Sequence, residues 1–436
     1  MYPQTALSRT ARQPNKAHLT FPKQEPLSSR YVIQPLDLSE AVIRIVNGIT
    51  PFKATESVPV SAATMRVAAQ DVIADVSLPP FANSAMDGFA VCSGHLRGEP
   101  PFELKVAGES FAGHPYSDRA ASDSCVRIFT GAAMPDGFDA VIIQEDCKIL
   151  DSAIRTSVRA MRGDNVRDVG HDIVKGDTIV RRGQTLTPFA IGWLAACGHT
   201  HVNIVARPKV AIFSTGDELR EPGEPLGPGQ IYDANRFLMS ALLARLPVEV
   251  IDLGVLSDDE RATEQALSTA ALSADVLLTS GGVSVGDADY VTRVVRTIGD
   301  LEIWRLNIKP GKPLAYGRIG KCLFFGLPGN PVSAIVTFLL IACPALKRLT
   351  GANDFSPTQQ RAVLSESIRH KPGREEYQRG FVTSLERGTT VRVTGDQSSN
   401  RLASFANANC LIRIPKESGD LAAGAEVTVL PFFGLI

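Results

Sequence analysis

The sequence predicts a multidomain protein of α/β plus β class. It would comprise a central doubly wound α/β domain, an inserted β-rich domain, a helical and extended linker domain, and a small C-terminal β-barrel-like domain. Three observations carry this expectation. Over residues 208–350, strand-like runs alternate with helical stretches, the pattern of a parallel sheet with helices on both faces. Two apolar runs in that region lead into glycine-rich loops, and ligands of such sheets bind at the carboxyl ends of strands. Flanking stretches instead hold short β-type runs between Gly, Pro and Asp turns. A chain of 436 residues exceeds one typical core and suggests about three domains.

Residues 1–30 carry five Arg or Lys against one acid, Glu25, with no apolar periodicity, so a disordered tail is expected. They also lack the apolar core of a secretory signal. Leu36 to Ile49 has helical spacing, with Leu38, Ala41, Val42, Ile45 and Val46 on one stripe and Asp37 or Ser39 as candidate cap. The linker domain is expected over 31–57 and 169–207, interrupted by the β-rich insertion at 58–168. Phe102–Val106 and Ala140–Ile143 are its clear strands, and Pro188–Ala196 is a helix of the returning linker. The α/β domain is placed at 208–356. Its strands are Lys209–Phe213, Val248–Leu253, Val276–Leu278 and Cys322–Phe325; its helices include Asp258–Leu272 and Asp289–Ile298. The C-terminal β domain follows at 357–436, with strands at 391–393 and 426–430.

Composition excludes several function classes. A formal net charge of −1 gives no reason to expect nucleic acid or an anionic membrane as partner. Seven dispersed cysteines without a C-x-x-C pair fit a reducing, cytoplasmic setting and argue against a disulfide scaffold or structural zinc. Val332 to Leu346, the longest apolar run, falls short of a bilayer span and reads as a buried core helix.

The most informative stretch runs from Leu323 to Pro331, Leu-Phe-Phe-Gly-Leu-Pro-Gly-Asn-Pro. It reads as a strand, a tight turn and a helix beginning near Pro331, since a proline suits the first helical turn. Free N–H groups of that turn would face an oxyanion, and Gly329 lets it approach the backbone. A second strand leads into Ser280-Gly281-Gly282-Val283-Ser284-Val285-Gly286-Asp287-Ala288-Asp289. This loop matches neither the dinucleotide fingerprint nor the P-loop; it offers backbone amides beside two carboxylates. Lys309-Pro310-Gly311-Lys312 lies between the two loops, and together the three segments suggest a mouth for a polyphosphate.

These motifs, with Leu78–Gly88 (LPPFANSAMDG), Thr130-Gly131-Ala132 and Ser214–Leu219 (STGDEL), give the chain a resemblance to the molybdopterin molybdenumtransferases, the MoeA / gephyrin E-domain family. The resemblance extends from about Leu36 to the C-terminus and rests on an ordered set of motifs. It implies a MogA-like, molybdopterin-binding α/β domain. It also implies insertion of molybdate into adenylylated molybdopterin with release of AMP, dependent on Mg²⁺. Molybdate is then a substrate, and no cysteine nucleophile is needed. The family is homodimeric, the insertion of one subunit facing the α/β domain of the other. Further partners implied are the molybdopterin adenylyltransferase and recipient molybdoenzymes.

Residue by residue, the resemblance places Asp87, Thr130, Glu218, Asp258 and Asp289 at the catalytic centre. Glu218, Asp258 and Asp289 are the candidate Mg²⁺ ligands, since Mg²⁺ prefers oxygen donors and bridges one or two carboxylates to phosphates. Asp258 and Asp289 could equally be helix caps. Substrate contacts would come from Arg167, Asp172, Ser280, Gly281, Gly282, Arg305, Lys309, Lys312, Pro328, Gly329, Asn330, Pro331, Arg379 and Ser399. Arg305 stands where the family often has lysine, and the stretch Gln397–Arg401 departs from the family pattern. The rival readings are the adenylyltransferase, which shares the α/β domain, and a gephyrin-like scaffold without catalysis. A nicotinamide-nucleotide enzyme is disfavoured by the missing G-x-G-x-x-G.

Overall fold

A computed structural model describes residues 35–119, 121, 123–282, 290–386 and 388–435. The tail therefore lies outside the described residues. Helix Leu38–Asn47 buries Ala41, Ile45 and Val46, as its spacing predicts. Neither expected cap operates. Asp37 occupies the N-cap position, but its carboxylate accepts from Asn307 Nδ2 at 3.1 Å and Lys416 Nζ at 2.6 Å.

The linker body joins Thr55–Pro59 to His201–Val205 as antiparallel strands. Its core combines Val60, Ala63, Ala68 and Ala74 with Ile173, Val180, Leu186 and Leu194. Residues 60–74 thus belong to the linker, and the insertion begins later than the expected residue 58. Their short β-type runs look locally like those of the insertion, and only the packing tells them apart. Helix Pro188–Ala196 starts at Thr187, whose side chain accepts from Ala190 N.

The insertion is a six-stranded sheet built from Gly88–Val91, Phe102–Ser110, Ser124–Ile128, Ala140–Ile143, Cys147–Ile149 and Ala153–Thr156. It has its own core around Phe89, Leu104, Cys125, Ile142 and Ile154. The chain enters it at Asn83–Ser84 and leaves at Val166–Arg167, and these two segments pair antiparallel as a stem.

In the α/β domain the strand order is Glu249–Leu256, Lys209–Thr215, Val276–Ser280, Cys322–Leu327, Pro313–Ile319, Asp300–Arg305. The first four are parallel and the last two antiparallel, so the sheet is mixed where a parallel one was expected. The reason is local: only Gly320 and Lys321 separate Ile319 from Cys322, which allows a hairpin but no crossover. Alternating side chains feed two cores, with Ile212, Leu278 and Phe325 on one face and Phe213, Leu277 and Phe324 on the other. Both faces are covered, as a doubly wound domain requires.

The long apolar helix Pro331–Leu349 is almost wholly buried, which makes it a core helix. It widens into a π-turn at Phe338–Ala342, just before Pro344. Pro344 lacks an N–H and its ring would press on the carbonyl four residues back; the wider turn accommodates it.

Five C-terminal strands, Gln360–Leu364, Glu375–Leu385, Gly388–Val393, Cys410–Ile414 and Glu426–Pro431, close into a barrel. Ile308–Lys309 of the α/β domain adds parallel to Glu375–Glu376. Tyr377, Leu411 and Leu430 of the barrel pack into the same core as Leu340 and Leu346 of the long helix.

Candidate functional site

Parallel strands Lys209–Thr215, Val276–Ser280 and Cys322–Leu327 all end on one edge of the sheet, and each is followed by a motif loop. The glycine loops meet there. Gly281 N donates to Leu327 O at 3.0 Å, and a Cβ on Gly329 would lie 3.6 Å from Gly281 Cα. Pro328 is buried, while Gly329 and Asn330 are exposed ahead of Pro331 at the first helical position. Asn235, near the start of helix Ala234–Leu243, holds Gly329 O through Nδ2 at 2.7 Å. The helix N-terminus is less open than its sequence implies, because Val332 N donates to Ser399 O at 3.2 Å. That bond brings the Gln397–Arg401 stretch to this edge.

Among the described residues, buried polar atoms at this edge without a hydrogen-bond partner include Ser214 Oγ, Ser280 Oγ and Asn235 Oδ1. Ser214 and Ser280 are neighbours in register and point to the same face. Unmet buried polar groups are rare and call for a partner, a part that a polar ligand at this edge would fill.

Carboxylates gather beside the loops. The helix after Leu256 is capped by Asp259, whose side chain accepts from Ala262 N at 2.7 Å, and not by Asp258 as expected. Asp258 is left free of capping. Its carboxyl is pushed above the usual range by burial and by the neighbouring Asp217 and Glu218, with a backbone hydrogen bond involving Asp217 acting the other way. Glu218 folds back over Gly216, whose positive φ of 140° is a backbone conformation that favours glycine. Among the described residues, no three His, Cys, Asp or Glu side chains enclose a metal by themselves. An all-oxygen acidic set that leaves most positions to water and phosphate still suits Mg²⁺. Asp289, with Asp287, lies outside the described residues.

Cations line the barrel side. Lys309 pairs with Glu376 at 3.1 Å, while Lys312 is exposed and its carbonyl accepts from Leu306 N. Arg305 ends its strand in register with Pro313. Arg379, which the resemblance places among the substrate contacts, is 0% exposed. Nε donates to Ser404 Oγ at 2.9 Å, and Nη2 donates to the carbonyls of Asp396 and Ser398 at 3.2 Å. Burial lowers its pKa to about 10, which nearby Asp396 and Glu376 partly offset. From inside the barrel it shapes the loop that carries Ser399.

A second group sits on the insertion. Thr130 donates to Asp87 Oδ1 twice, from N at 2.7 Å and from Oγ1 at 2.8 Å. The backbone bond, then the hydroxyl bond, holds the Asp87 carboxyl below the usual range. Arg167 lies on the stem opposite Asn83, close in sequence to that pair. Asp172 stands apart on the returning linker, its N bonded to Leu78 O at 2.8 Å. Among the described residues, no hydrogen bond or ion pair joins this group to the strand-edge group. Sequence reasoning missed Asn235 and Glu376. The run Tyr-Asp-Ala-Asn ahead of a helix was a usable signal for the first, since Asp233 caps that helix.

Comparison with known proteins agrees with this architecture. The family model for the MoeA N-terminal region (domain I and II) matches residues 36–198. A "Probable molybdopterin binding domain" matches 211–348, and the MoeA C-terminal region (domain IV) matches 361–432. The chain is 41% identical to the molybdopterin molybdenumtransferase of Haemophilus influenzae, covering 92% of this chain and 100% of that protein. It is 34% identical to molybdopterin molybdenumtransferase 2 of Mycobacterium tuberculosis, covering 86% and 94%. The molybdopterin biosynthesis moeA protein of Pyrococcus horikoshii OT3 superposes with a TM-score of 0.79 at 29% identity, covering 91% and 100% of the two chains. With three consecutive family regions matched in order and relatives aligned nearly end to end, the chain belongs to the molybdopterin molybdenumtransferase family.

Proposed function

We propose that this chain is a transferase of molybdenum cofactor biosynthesis that inserts molybdate into adenylylated molybdopterin and releases AMP, with Mg²⁺, as a homodimer. The observation that carries it is the acidic cluster of Asp217, Glu218 and Asp258 beside two abutting glycine loops and orphaned hydroxyls. Glu218 and Asp258, with Asp289, would hold Mg²⁺, which when bound neutralises charge on the phosphoanhydride. The Gly281 amide is already spent on Leu327 O, so the exposed backbone at Gly329 would line the phosphates, and Lys309 and Lys312 would offer charge to the oxyanion. Asp87, held ionised by Thr130, is a poor base but a fixed hydrogen-bond acceptor for a donor group of the substrate. The test is to supply purified protein with adenylylated molybdopterin, molybdate and Mg²⁺ and to measure AMP and active cofactor. Adenylylation of free molybdopterin by ATP, without metal insertion, would overturn the reading in favour of the adenylyltransferase.

The raised Asp258 gives this a pH signature. Proton and cation compete for the carboxylate, so the Mg²⁺ concentration for half-maximal AMP release should fall as pH rises through the mildly acid range. An Mg²⁺ requirement independent of pH there would remove Asp258 from the cation site.

Two features support the dimer. Helix Pro188–Ala196 is apolar on all sides, yet buries Ala190 and Leu194 while Phe189 is 88% and Trp193 37% exposed. Such a face calls for cover. Among the described residues, moreover, no hydrogen bond or ion pair joins the Asp87 group to the Asp258 group. Mixing an inactive Asp87→Ala chain with an inactive Asp258→Ala chain is therefore expected to restore part of the activity; no recovery after proven subunit exchange would rule out a shared site. Seven free thiols, five of them buried, support a reducing cytoplasmic setting. The adenylyltransferase and recipient molybdoenzymes are the partners this chemistry calls for.

A further inference from the structure

Glu376 is a carboxylate at 3% exposure, and it faces the cations of the strand edge from inside the barrel. Its Oε1 meets Lys309 Nζ at 3.1 Å and accepts from Gln378 Nε2 at 3.1 Å. Its Oε2 lies 3.7 Å from His370 Nε2. The His370 ring is itself fixed between two backbone carbonyls, Ser418 O at 2.8 Å and Arg374 O at 3.1 Å. Backbone pairing delivers the same geometry, because Lys309 and Glu376 are register partners of parallel strands. Half of the Lys309 side chain reaches solvent while its counter-charge is buried. The field of Glu376 also reaches Arg379, the interior cation that shapes the Ser399 loop.

A buried carboxylate bound to a half-exposed lysine leaves two outcomes for an arriving dianion. Either the lysine serves only to neutralise Glu376, or the dianion and Glu376 share its ammonium. The second outcome weakens anion binding, and an oxyanion that must be handed on to another ligand gains from being held weakly. We propose that Glu376 is a positioning residue for the oxyanion: through Lys309 it fixes the ammonium at the site mouth and sets a low affinity for molybdate. This rests on the functional reading above and adds a residue to it. Gln378 holds the carboxylate so that it does not follow the lysine outward, and the fixed His370 ring packs beside it.

Glu376→Gln keeps the shape and the Gln378 contact but removes the charge. Molybdate binding, measured by calorimetry on the full-length protein without nucleotide, should tighten at least roughly tenfold, since a unit charge a few ångströms away in a partly buried setting contributes well above RT. The gain should vanish in a Lys309→Ala background. In turnover the variant should show a lower KM for molybdate together with a lower kcat, a split that a merely structural stitch between domains would not produce. Glu376→Asp, which withdraws the charge by one methylene, should lie between and serves alone if the Gln variant fails to fold. Unchanged or weaker molybdate affinity in a folded variant, or tightening that persists without Lys309, overturns the proposal. Because affinity is read without turnover, loss of the proposed AMP-releasing activity would be told apart from failure of the Glu376 effect.

Discussion

Glu218→Gln and Asp258→Asn should each lower molybdate-dependent AMP release by about a hundredfold or more, the range seen when one preorganised charged group is removed from a reaction centre. The fold should survive. Asp258 is destabilised as a carboxylate by burial and by Asp217 and Glu218, so the neutral amide relieves repulsion and should hold or slightly raise the melting temperature. Loss of activity with equal or greater stability is the mark of a residue kept for chemistry. If either variant turns over at near the normal rate, that carboxylate leaves the mechanism. If Asp258→Asn melts well below the parent, the acid cluster is structural.

Gly88→Ala is expected to be the most damaging small substitution in the insertion. Gly88 lies between Ile128 and Ile143 in the sheet, and a Cβ there would sit 2.1 Å from Ile142 O. A backbone carbonyl held in a strand pair cannot swing aside as a side chain would. We expect a cost of about 3 kcal/mol or more, read as protease sensitivity of the insertion and loss of its thermal transition. Asp87 precedes Gly88, so activity should fall with the fold. A variant that melts normally would mean the strands separate at little cost.

Where a signal was local, the sequence was legible. Pro331 at a helix start, the stripe Ala41–Ile45–Val46, the strand Ala140–Ile143 and the helix Pro188–Ala196 all follow from residue type and spacing, and all are present. The grouping of Glu218 and Asp258, and of Asp87 with Thr130, was reached through motif resemblance rather than periodicity. What escaped depended on neighbours distant along the chain. Residues 60–74 join the linker because Ile173 and Leu186 complete their core. Asp259 rather than Asp258 caps its helix, and adjacent aspartates offer no local basis for choosing. Nothing beside Arg379 in the sequence announces its burial, yet the barrel closes around it. Glu376 gained its place only when a strand pairing brought Lys309 beside it.

The core shared by the barrel and the long helix has a consequence for how the molecule comes apart. Tyr377, Leu411 and Leu430 cannot leave that core without exposing Leu340 and Leu346, so the barrel and the α/β domain form one cooperative unit. The insertion, with its own core behind a short stem, can open independently. Heat should therefore be absorbed in fewer steps than the molecule has domains. A ligand gripped at the strand edge would stabilise the barrel as much as the sheet, by mass action on a single equilibrium.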